Sequence, residues 1–232
     1  MLEKVTQDLT QAKAQSVMRG LLKLWAEFSA SLDAVPIIDK LNRGKFRLDD
    51  YRELLRNHRQ QVVEGARWIA RAASSIDEEY FELRSRFMQH AVTEHRDFKM
   101  IEQDYVSVGG RLEDIVGAPK NVGTEALHAY IFHRASQPNP FDLIGAMFII
   151  EGLGQKKAAE WGRRIQSQLR LKPEQVSFLL YHGENDEAHM REFEDTLSSG
   201  ILAIPRMDAA ILKTAKVVAR LYRLQLEELG NS

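Results

Sequence analysis

Apolar residues recur along most of this chain at steps of three and four, the period of helices with one buried face. From Thr6 to about Leu32 they are Leu9, Ala12, Val17, Leu21, Leu24, Trp25 and Phe28, which predicts an amphipathic helix that Pro36 ends. A short segment around Ile37 to Leu41 stops at Gly44. Leu48 to Tyr51 then offers an N-cap for a helix to about Ser74, with Val62, Ala66, Ile69 and Ala73 on its buried face. His58 lies on this helix and reads as a surface or helix-packing histidine. The acidic start Ser75 to Glu79 opens the longest helix, which continues without Pro or Gly to about Val108 and stops at Gly109-Gly110. A further helix begins near Thr124 and breaks at Pro138-Asn139-Pro140.

From Phe141 to about Leu169 the chain is most apolar, hydrophobic nearly all round between Leu143 and Leu153, so this helix belongs at the centre of the fold. Pro173 suits the first turn of the next helix, and Asp208 can cap a last one to about Leu229. No strong period-2 run occurs. The expectation is a single all-α domain over residues 1–232, a bundle of about seven helices.

Residues able to do chemistry concentrate in Leu180 to His189. If that stretch is helical, His182, Asp186 and His189 project from one face at i, i+4 and i+7. Two neutral imidazoles and a carboxylate suit a nonheme iron, manganese or zinc ion; a solvated polar face would carry the same spacing. Glu151 interrupts the apolar run. A carboxylate there is costly unless it is ion-paired with a neighbouring helix or bound to a cation, so it is expected buried near the bundle centre. On the long helix His90, Glu94 and Asp97 repeat the i, i+4, i+7 spacing, while His95 cannot share their face. Three helices thus offer inward ligands, the way carboxylate-bridged dimetal sites are built in bundles. Lys156, Lys157, Arg163 and Arg164 follow Glu151 and read as a solvated face, with binding of a substrate carboxylate by some of them as the alternative.

Composition narrows the alternatives. With 44% hydrophobic residues in 232, the chain can bury one substantial core, and a formal net charge of -1 gives no field favouring nucleic acid or an anionic membrane. The absence of cysteine removes disulfides, thiolate metal sites and a cysteine nucleophile. Residues Met1 to Asp8 lack the apolar run of a signal peptide and no apolar stretch approaches the ~18 residues of a membrane span, so the expected compartment is the cytoplasm.

Several of these segments together resemble the heme-oxygenase-like diiron oxidases, or iron-containing redox enzymes, which share a fold with TenA-type and PqqC-type proteins. They are Glu94-His95-Arg96-Asp97 with Asp104-Tyr105 and Gly109-Gly110, Leu143-Ile144-Gly145 leading to Ile150-Glu151, and Phe178 to His182 with Asp186 and His189. The resemblance spans roughly Tyr51 to Leu197. It implies a heme-oxygenase-like bundle in which Glu151, His182, Asp186 and His189 match metal ligands. Glu94 matches the glutamate of a Glu-x2-His variant in which this chain carries Asp97 in place of the histidine, and His90 stands where another branch has a glutamate. It implies iron, two ions or fewer, with dioxygen and a small amine- or carboxylate-bearing molecule as partners, and it allows a homodimer. Two relatives of the fold are disfavoured. TenA thiaminase chemistry needs a cysteine, and the axial histidine of heme oxygenase belongs to the first helix, whereas the earliest histidine here is His58. Metal-independent chemistry on the same fold, or a helical domain that has lost the site, is the alternative.

Overall fold

The computed structural model describes residues 2–183, 193 and 195–231, with side chains from Gln11 onward. All regular structure among them is helical, and the helices named below are α1 (Leu2–Leu32), α2 (Pro36–Asn42), α3 (Leu48–Val62), α4 (Gly65–Ser74), α5 (Phe81–Glu94), α6 (Phe98–Ser107), α7 (Leu112–Val116), α8 (Val122–Ala135), α9 (Ile144–Leu153), α10 (Ala159–Leu169), α11 (Ser177–His182) and α12 (Met207–Glu227). None of the described helices is long and apolar enough to cross a membrane.

The helix that organises the packing is α12, which lies against α1, α8 and α9. Its buried face mixes Ile211, Val218, Tyr222 and Leu226 with the small Ala215 and Ala219, and small residues let backbones approach. Two glycines complete the approach. A Cβ on Gly145 of α9 would stand 2.2 Å from the Ile211 carbonyl oxygen, and one on Gly123 of α8 would stand 2.2 Å from the Gln225 nitrogen. The apolar run predicted to be central is central: Phe141, Leu143, Ile144, Ala146 and Ile149 are all buried.

The count exceeds seven chiefly because the long predicted helices are broken. The helix expected from Leu48 to Ser74 bends at Val63-Glu64, where Glu64 is buried and held by Arg67 at 2.8 Å and Lys120 at 3.0 Å. The helix expected from Ser75 to Val108 starts as a 3₁₀ turn, Glu78–Tyr80, and breaks again at His95-Arg96-Asp97. There the bonding tightens to i→i+3, from Lys99 N–H to Arg96 (2.9 Å) and from Met100 N–H to Asp97 (3.0 Å). The redirected α6 packs on α3 and α11. Past Glu151, residues Gly154–Ala158 form a π-helical segment before α10. Pro173 opens only a 3₁₀ turn, Pro173–Gln175, and the helix carrying His182 begins at Ser177.

Candidate metal centre

Helix α11 is six residues long, so its position depends on what holds its ends. At its start, Asp104 of α6, fully buried, accepts hydrogen bonds from the Ser177 N–H (3.0 Å), the Ser177 hydroxyl (2.7 Å) and the Phe178 N–H (3.0 Å). These satisfy main-chain donors that a helix N-terminus leaves open. Burial pushes the Asp104 carboxyl up, and the three donors only partly offset it. At the other end, a Cβ on Gly183 would lie 2.1 Å from the Ala159 Cβ, so the glycine lets α11 close onto the start of α10. His182 is thereby fixed at both ends of a short rod. In the sequence Asp104 enters only as part of the family resemblance, with no function assigned to it; an aspartate in a helix gives no sign that it caps another one.

His182 meets the α5–α6 break. One oxygen each from Glu94 and Asp97 and one ring nitrogen of His182 all lie within 4.8 Å of one another, a group dimensioned to hold a metal ion. The predicted i, i+3 relation of Glu94 and Asp97 thus survives, although the intervening residues are a turn rather than helix. His182 Nδ1 is 2.9 Å from the Phe178 carbonyl oxygen and Nε2 is 3.0 Å from Asp97 Oδ2. A carbonyl only accepts, so Nδ1 carries a hydrogen, and in the neutral ring the Nε2 lone pair faces a carboxylate oxygen. Burial pushes the imidazole down, but the hydrogen bonds to Asp97 and Phe178 and the charges of Asp97 and Glu94 together hold it above its ordinary value.

On the other side of Glu94, His90 Nε2 is 3.3 Å from Glu151 Oε1. Glu94 feels both groups of residues. Burial pushes its carboxyl up, with repulsion from Asp97 and Glu151 adding and His90 and His182 opposing. Glu151 is not the buried central residue expected. Its side chain is 28% exposed, because α9 turns Ile150 and Glu151 toward a cavity instead of the packed core. Asp186 and His189 lie outside the described residues. His95 is exposed, as its off-face position predicted.

The cavity, about 420 Å³, lies between α1, α3, α9 and the segments carrying the cluster. Leu22, Trp25, Leu54, Phe148, Trp161 and Leu226 make most of its wall apolar, and Glu94, Asp97, Glu151 and His182 border it. So does His58. Its ring does pack, edge-on to Phe178 at 5.1 Å, and Phe178 in turn lies 4.1 Å from the His182 ring, but it also faces the cavity, which the packing or surface reading missed. Leu54 and Val62, each one turn from it, share its face of α3, which in the structure is the cavity face.

Comparison with known proteins follows this architecture. Residues 52–223 match the model of a family described as iron-containing redox enzymes, and the chain belongs to that family. No curated protein matches it in sequence. Among solved structures, a domain of unknown function with a heme oxygenase-like fold from Shewanella denitrificans is similar with a TM-score of 0.82 at 20% identity, covering 92% of this chain and 90% of that one. A TenA homolog from Pseudomonas syringae is similar with a TM-score of 0.75 at 15% identity, over 93% of this chain and 91% of that one. A TenA homologue from P. horikoshii gives 0.63 at 13% identity, over 92% and 98%. These likenesses establish a heme-oxygenase-like fold, as the sequence resemblance implied.

Proposed function

We propose that this protein is a nonheme iron oxidase or oxygenase, acting with dioxygen on a small organic molecule held in the 420 Å³ cavity. The observation that carries the reading is the direction of His182. With Nδ1 donating to a main-chain carbonyl, Nε2 is the nitrogen turned to Asp97, where a cation can take the place of the proton the two share. A ring fixed by donating its other N–H to a carbonyl is also how metal-bound histidines are oriented. The donor set, imidazole and carboxylate without thiolate, suits iron. Glu94, Asp97 and His182 would hold one ion. His90 and Glu151 would hold a second, with Glu94 placed between the two groups, and Asp186 and His189 are the further donors expected from the sequence.

Iron bound there would supply the electrons that reduce dioxygen. The chain's own contributions are separate from that. Phe178 and Asp104 fix the direction of the His182 ring, and the apolar wall limits water in the space beside the cluster.

Anaerobic loading with ferrous iron followed by metal analysis and exposure to dioxygen tests this. Uptake of one to two irons per chain, followed by a ferric absorption band, is expected. His182→Ala should weaken iron binding by on the order of 100-fold or more. Wild-type protein that takes up no iron, or a His182→Ala variant that binds it unchanged, overturns the reading.

A further inference from the structure

The cavity has an uneven distribution of polar groups. One side is the cluster of Glu94, Asp97, Glu151 and His182, and the facing α3 wall offers two polar side chains, His58 and Gln61. Gln61 is already engaged: its Oε1 accepts from Gln225 Nε2 at 2.7 Å, inside a buried network that runs through Thr124 to Asn57. His58 differs. Its ring makes an edge contact with Phe178, yet neither ring nitrogen has a hydrogen-bond partner among the described residues. Neither nitrogen is among the fully enclosed polar atoms left unpaired, so the ring stays open to a molecule entering the cavity.

The remaining wall limits what could satisfy it. Among the described residues lining the cavity, Lys156 is the one lysine or arginine, and it is exposed. Among the described lining residues no arginine presents the planar fork that commonly receives a carboxylate. The three carboxylates oppose an anionic head, and where they are occupied by metal the polar group left on the α3 wall is His58. Aromatic faces from Trp25, Trp161, Phe148 and Phe178 accept both an aliphatic body and a cationic end.

We propose that the cavity binds a molecule with an apolar body and an amine head, and that His58 accepts a hydrogen bond from the head's N–H beside the Glu94–Asp97–His182 cluster. The neutral ring has one lone pair to offer. Burial first, and the neighbouring His182 second, push His58 down to about 4, so the lone pair stays available at neutral pH. This inference rests on the iron reading for the reaction, but the recognition it describes belongs to the chain alone.

Titration of the full-length protein with n-octylamine and, separately, n-octanoate tests it, with and without ferrous iron, using the fluorescence of Trp25 and Trp161 at the cavity wall. Saturable octylamine binding, tighter than octanoate, is expected, with affinity lowered about 10-fold or more in His58→Phe. His58→Gln, which keeps a hydrogen-bonding oxygen, should recover most of it. Histidine-selective NMR of the wild type gives a readout independent of variant folding: octylamine should move the His58 resonances. Octanoate binding at least as tightly, no saturable octylamine binding, unmoved His58 resonances, or an unchanged affinity in a folded His58→Phe protein each overturns the proposal. Iron content is measured on the same samples. Preference for octanoate with iron fully bound sinks the amine assignment alone; absent iron binding with His58-dependent octylamine binding intact sinks the iron reading alone.

Discussion

Replacing Asp104 with alanine should unseat α11 and, with it, His182. The wild-type carboxylate is fully buried and accepts three hydrogen bonds, two of them from main-chain N–H groups in the first turn of α11. Alanine leaves those two donors facing apolar surroundings. At roughly 1–3 kcal/mol for each buried donor left unmet, and with the hydroxyl bond of Ser177 also lost, the cost is about 3–5 kcal/mol. That is a large share of the ~5–15 kcal/mol that stabilises a typical domain. Asp104→Asn keeps one accepting oxygen and turns an N–H toward a donor, so about half that loss is expected. Ser177→Ala, which removes only the hydroxyl bond, should cost about 1 kcal/mol. Urea denaturation of the three variants reads these values directly. Ferrous iron titration of the folded fraction reads the second consequence, weaker binding in the order Ala, Asn, Ser177→Ala. Loss of less than 1 kcal/mol in Asp104→Ala, together with wild-type iron affinity, would refute the claim that this carboxylate positions the helix.

Two further outcomes follow from packing and burial. Gly145→Ala should destabilise by about 1–3 kcal/mol despite alanine's higher helix propensity, because its Cβ would meet the Ile211 carbonyl at 2.2 Å; a neutral or raised melting temperature would contradict the close α9–α12 approach. Stability should also fall in mild acid. Burial, then the Lys120 ammonium, push His128 from 6.5 down to about 4, against a weaker pull upward from Glu64. Because the folded value is the lower one, its stabilising share is present above about 6.5 and is lost as pH falls toward 4. That amounts to about 2 kcal/mol between pH 7 and pH 5. Chemical denaturation at the two pH values should show His128→Phe losing less than the wild type by about that amount.

The helices were legible from apolar spacing, and so was the central place of α9, because its all-round hydrophobicity allows no other. The breaks at Val63-Glu64 and His95–Asp97 were not. The second contains neither Pro nor Gly; Gly65 follows the first, but a lone glycine is tolerated within a helix, and that bend is held by Lys120 and Arg67, one of them more than fifty residues away in sequence. Local pattern cannot register a bend whose cause is tertiary. Glu94, Asp97 and His182 were found because metal-ligating residue types at helical spacing are conspicuous, and their convergence tolerated the loss of the helix between the first two. Glu151 was read as buried because its neighbours in sequence are apolar, yet the same apolar side chains line a cavity as readily as a core. His58 was missed for the converse reason, since Leu54 and Val62, which share its face of α3, mark that face as apolar without saying whether it meets packed core or a cavity.

The π segment after Glu151 has a consequence for how this chain tolerates change. Each residue of an α-helix advances the chain by about 100° around its axis. Removing one residue from Gly154–Ala158 to restore regular winding would therefore turn everything downstream by about that angle, including Gly162, whose missing side chain makes room for Leu179 of α11. In an exposed loop a one-residue deletion is absorbed by slack. Here there is none, so chain length and the phase of the cavity wall are geared together, and natural variants should change this stretch by substitution, never by length.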